Sequence, residues 1–106
     1  MANHQPVPIT PFGAANNRFR SEVLRGRPGH HRILSTQGVQ ALGPAATQEI
    51  LYLVLSFKEE NFRDAFEPHG DRDFIVVHHQ GKKVWAKIDA YDLSMKFLSQ
   101  ILRMMR

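Results

Sequence analysis

Three side chains that could ligate a metal, His69, Asp71 and Asp73, fall within five residues, and Asp89 or Asp92 could complete an oxygen-rich or mixed site. No His-x-x-x-His or other spacing of known ligand geometry accompanies them. They read instead as a polar loop leading into a strand. His78 and His79 are adjacent in a strand-like segment, so their side chains point to opposite faces and cannot form one clamp. The chain has no cysteine, which excludes a disulfide framework, a thiolate zinc site and a thiol nucleophile together. None of Ser21, Ser35, Ser56, Ser94 and Ser99 lies in a Gly-x-Ser-x-Gly turn, and Gly26, Gly29 and Gly38 match neither a phosphate loop nor a dinucleotide fingerprint. The paired carboxylates Glu59 and Glu60 fit a solvated helix end. The sequence thus points to no catalytic residue, no resident metal and no cofactor.

The remaining chemistry is that of binding. Lys83, Trp85 and Lys87 share one face of a strand, where an indole flanked by ammonium groups could stack a base and hold phosphates. The competing reading has a helix over Trp85 and the lysine stems lying around its rim. His78 falls on the same face across a hairpin. The run from Arg25 through Arg27 to Arg32 reads either as a phosphate-binding loop or as a solvated connection. Its charge is nonetheless distinctive. The net charge is +4, and Arg18, Arg20, Arg25, Arg27 and Arg32 face the single acid Glu22 in the first 32 residues, so the whole excess lies in the N-terminal third.

The elements that must position these groups belong to an α+β fold. A length of 106 residues with 42% apolar and 23% charged residues suits one small core. Residues 1–13 carry Pro6, Pro8, Pro11 and Gly13 and are expected to form a flexible arm, followed by a single domain over 14–106. Asn16 or Asn17 can cap a short helix ending at Leu24. His31 to Ser35 suits a strand before a turn at Gln37-Gly38. A core helix starts at Gly43-Pro44, with Ala46, Ile50, Leu53, Val54 and Phe57 at helical spacing. Residues 61–72 read as a loop with a helical turn at Phe62 to Phe66. Residues 74–79 and 82–89 form a hairpin about Gln80-Gly81, placing Ile75, Val77, Val84, Ala86 and Ile88 against the helices. Asp92 can cap a last helix in which Phe97, Leu98, Ile101, Leu102 and Met105 form a stripe. The expected architecture is a small antiparallel sheet of about three strands packed on two or three helices.

Four stretches together resemble a bacterial domain family of unknown function found in short proteins of plasmids and other mobile elements. They are Asn17-Arg18-Phe19-Arg20, Thr36-Gln37-Gly38-Val39-Gln40-Ala41-Leu42, Pro68-His69-Gly70-Asp71-Arg72-Asp73-Phe74, and Lys87-Ile88-Asp89-Ala90-Tyr91-Asp92. The chain has Asp71-Arg72 where the family pattern has an acidic residue and a histidine, and a shortened polar insert before its last helix. The resemblance implies a mobile-element setting without known chemistry. Small proteins of that setting often disarm host defences, so an anti-CRISPR or anti-restriction role is expected by analogy. With no export signal and no apolar run long enough for a bilayer, the expected location is the cytoplasm. The resulting expectation is a non-catalytic protein that occupies a bacterial defence complex, itself free or carrying nucleic acid. Its partner-binding residues would be Arg25, Arg27, Arg32, His78, Lys83, Trp85 and Lys87. The alternative is a nucleic-acid-binding accessory or regulatory protein.

Overall fold

Alternation decides the core of this chain. The computed structural model describes residues 7–27, 31–64, 69–92 and 98–106. Its element order is α1 (Pro11–Leu24), β1 (His31–Ser35), α2 (Gln37–Gln40), α3 (Pro44–Leu55), a 3-10 turn (Glu59–Asp64), β2 (Phe74–His79), β3 (Lys82–Asp92) and β4 (Leu98–Met105). The four strands make one sheet in the order β1-β4-β3-β2. β2–β3 and β3–β4 pair antiparallel, whereas β1–β4 is parallel, so the sheet is mixed. It forms an α+β fold with three helices.

The hairpin forms as the sequence predicts. His79 pairs with Lys82 across Gln80 and Gly81, both at positive φ (50° and 77°), which is the turn that matches strand twist. Ile75, Val77, Val84, Ala86 and Ile88 are all buried and meet Ile50 and Val54 of α3. α3 begins at Pro44 after an N-cap at Gly43, again as expected.

Three expectations need correction. The last element is a strand, not a helix, and Asp92 ends β3 paired with Leu98. Residues 98–105 carry a stripe at helical spacing and an alternation at the same time, the usual ambiguity of a short apolar run. Gln100, Leu102 and Met104 are buried on one face while Arg103 is exposed on the other. Tertiary pairing settles the matter: β4 lies between β1 and β3, and an extended chain there completes two hydrogen-bonded ladders. Second, α1 begins at Pro11, inside the stretch expected as an arm. The Thr10 hydroxyl accepts a bond from Gly13 N at 3.0 Å, which caps the first turn, and Pro11 occupies the helix start, where no amide partner is needed. Residues 1–6 of that arm lie outside the described residues. Third, Gln37-Gly38 opens the short helix α2. Of the helical turn expected at Phe62 to Phe66, residues 62–64 lie in the 3-10 turn and residues 65–66 lie outside the described residues.

Candidate interaction surface

Two of the stretches that carry the family resemblance meet in space. Arg20 on α1 and Arg72 before β2, at 2% and 1% exposure, place their guanidinium groups 5.5 and 5.1 Å from the ring centroid of Phe62. Arg72 donates to Val7 O at 2.6 Å and, through Nε, to both Glu59 oxygens at 2.9 and 3.1 Å. Arg20 donates to Val54 O at 3.2 Å, to Phe57 O and to Asn17 Oδ1, and its buried Nε has no hydrogen-bond partner among the described residues. Burial pushes the Arg20 guanidinium down to about 10, against the opposing pull of Glu59, so it remains protonated at neutral pH. Hydrogen bonding by Arg72 holds the Glu59 carboxyl below the usual carboxylate range.

Neighbouring polar groups extend this clamp. Asn16 Nδ2 donates to Asp71 O at 2.8 Å, Gln100 Nε2 donates to Asn16 Oδ1 at 2.9 Å, and the Thr10 hydroxyl donates to Asp71 Oδ1 at 2.6 Å. Asp71 and Asp73 are thereby committed, since Asp73 accepts from Lys87 Nζ at 2.8 Å. Among the described residues no group of three or more His, Cys, Asp or Glu side chains could hold a metal ion. The clamp joins α1 to the loop before β2.

That layer covers one face. Gln100, facing α1, and Ile75, Val77, Val84 and Leu102 all point toward the helices. The paired registers place a different set on the outer face. Val76, Trp85 and Met105 form a row across β2, β3 and β4. A second row runs Phe74, Lys87, Arg103, Leu34, a third Asp89, Ile101, Arg32, and a fourth joins His78 to Lys83. Lys83 Nζ lies 5.5 Å from the Trp85 ring centroid. Trp85 is half-buried within this row, and α1, α2 and α3 pack on the opposite face, so the helix that could have covered it is not among the described elements.

The expected partner-binding residues therefore divide. Arg32, His78, Lys83, Trp85 and Lys87 share the outer face, whereas Arg25 and Arg27 are exposed in the turn that ends α1 in the helical layer. Lys87 is not a free cation: it meets Asp73 at 2.8 Å and Asp89 at 3.7 Å, and the bond from Asp73 leads the causes that raise its pKa. Arg103 pairs with Asp89 at 2.9 Å. Leu34, Ile101, Arg103 and Met105 were missing from the outer face expected from the sequence. For β4 the missed signal was the alternation in residues 98–105.

No helix of the described residues is long and apolar enough to cross a membrane. No curated protein and no solved structure matches the chain. The model of one family, described as "Protein of unknown function (DUF3768)", matches residues 35–101, well over half of the 106. That span contains three of the four stretches named above and leaves Asn17-Arg18-Phe19-Arg20 on its N-terminal side, although the buried network ties Arg20 to Glu59 and Phe62 within it. The chain belongs to this DUF3768 family of proteins of unknown function.

Proposed function

We propose that this is a non-catalytic binding protein of a mobile element, which occupies a protein surface of a bacterial defence complex through the outer face of its sheet. The observation that carries the reading is the apolar row Val76–Trp85–Met105, flanked by Phe74, Leu34 and Ile101 and left open by the described helices. Aromatic residues, methionine and arginine are the types enriched in protein interfaces, and tryptophan is prominent among their energetic hot spots. The defence complex as partner rests on the analogy with mobile-element proteins.

Charge favours a protein partner over nucleic acid. Asp73 and Asp89 lie among the cations and pair with Lys87 and Arg103, so two of the four outer-face lysines and arginines already have carboxylates. A phosphate backbone meeting those acids would be repelled. The nucleic-acid reading draws its support from Lys83 over Trp85, a pairing that could also seat a stacked base and its phosphate. Pull-down of purified CRISPR effector complexes and restriction enzymes, with and without nuclease treatment, separates the two. The proposal expects capture that survives nuclease. Capture that disappears with the nucleic acid, or turnover of a substrate abolished by Asp71→Ala or His69→Ala, would overturn it.

A further inference from the structure

β2 is an edge strand, and its free edge borders a groove. In a two-residue hairpin, bonded and non-bonded pairs alternate along the ladder. Ile88 N donates to Asp73 O at 2.8 Å, which fixes the phase: Asp73, Ile75, Val77 and His79 turn their backbone groups to β3. Phe74, Val76 and His78 turn theirs outward, where no hydrogen bond from the described residues reaches them. The opposite edge is treated differently, because Gln40 Nε2 donates to Ser35 O at 2.8 Å and occupies an outer group of β1.

Two hollows run beside the β2 edge and meet at Leu53. One bank is α3 and the segment after it, with Tyr52, Leu53 and Phe57; the other is β2 itself, with Val77. Tyr52 is 60% exposed, although it is a large aromatic residue on a packed helix. At one end His79 hydrogen-bonds Glu49 across the groove and closes it. An open edge with six backbone groups that no described residue pairs is a template for an added strand.

We infer that the β2 edge receives an extended peptide segment of a partner as a fifth strand. Backbone bonds to Phe74, Val76 and His78 would supply the affinity, and the alternation of the added strand its selectivity. Side chains on one face would enter the apolar groove under Tyr52, Leu53 and Phe57. Those on the other face would lie beside His78 and within the field of Lys83, which has no carboxylate partner among the described residues. The segment it fits therefore alternates apolar and acidic residues. This inference does not depend on what binds the outer face.

The test uses the whole chain and a synthetic peptide of alternating glutamate and valine. Amide exchange followed by NMR is the readout. Saturating peptide should slow exchange at Phe74, Val76 and His78 by about tenfold or more and leave Ile75 and Val77 as they were. The same peptide with lysine for glutamate should bind more weakly, and one N-methylated on the amides facing β2 should not bind. Val76→Pro removes an amide that no described residue bonds, so the variant should fold and lose the peptide. The inference fails if the three amides are already slow to exchange in the free protein, as pairing between two copies would make them. It also fails if the N-methylated peptide binds as well as its parent.

Discussion

Removing Glu59 should destabilise this protein more than removing Arg72, although the two form one ion pair. The reason is the imbalance around Phe62, where two guanidinium groups are almost wholly buried and the Glu59 carboxylate, 46% exposed, acts on both. Deleting one partner of a buried pair leaves a charge uncompensated, at a cost of about 3–5 kcal/mol. In Glu59→Ala both Arg72 and Arg20 lose the field of this carboxylate while remaining buried. We expect about 3 kcal/mol, the low end, because solvent that now wets Glu59 can reach the edge of Arg72. In Arg72→Met the survivor is Glu59, which rehydrates, while the methionine retains apolar contact with Phe62. The loss then includes the bond to Val7 O and the cation–π contact, which together are worth about 1–2 kcal/mol. The double variant Glu59→Ala/Arg72→Met should cost about 3 kcal/mol, less than the sum of the two because only the Arg20 charge then loses Glu59, a coupling of about 1–2 kcal/mol. Urea denaturation with an unchanged slope measures all three. If Arg72→Met costs as much as Glu59→Ala, or the two effects add, the imbalance is not what holds the clamp.

The same carboxylate sets an acid limit. Its lowered pKa contributes stability above the ordinary glutamate value near 4.5, and that contribution is lost as pH falls through the lowered value; Glu59→Gln should flatten this part of an acid titration followed by circular dichroism. Leu102→Ala should cost about 2–5 kcal/mol and Ile101→Ala under about 1, since only Leu102 is fully buried; thermal unfolding that ranks them equally would argue against the β4 register. Gly70→Ala should cost at least about 2 kcal/mol, because Gly70 has a φ of 77° and a Cβ there would strike Pro8 O; full stability of the variant would show that the N-terminal segment does not press on this loop.

What the sequence made legible follows from how local each signal was. Pro44 and the Gln80-Gly81 turn are short-range devices, and both elements they control stand where expected. Residues 98–105 satisfied two periods at once, and only the presence of β1 and β3 on either side chose between them. The start of α1 was obscured by the prolines around it, although Thr10-Pro11 is itself a capping signal. Charge misled more subtly. Arg20 counted toward the basic N-terminal third, yet it is buried against Phe62 and lends nothing to a binding surface. Nor could Lys87 be separated from Lys83 by type or spacing; their difference is that Asp73 and Asp89 reach one and not the other. The outer-face row was half visible, because the hairpin supplied Val76 and Trp85 while Met105 belonged to the misread element.

The central claim is that the outer face binds a protein mainly by apolar contact. The decisive measurement is the affinity of a nuclease-treated defence complex, captured in the pull-down, for the wild-type chain, for Trp85→Ala and for the triple charge reversal at Arg25, Arg27 and Arg32, each titrated with salt. Trp85→Ala should lose about 2 kcal/mol or more at every salt concentration, as a buried interface anchor does. Charge reversal should slow association and leave a residual complex that high salt does not dissolve, because apolar contact is not screened. Isolated DNA or RNA should bind weakly at physiological salt. The account is contradicted if free nucleic acid binds tightly there with a steep salt dependence, and Trp85→Ala removes about 1–3 kcal/mol of that binding.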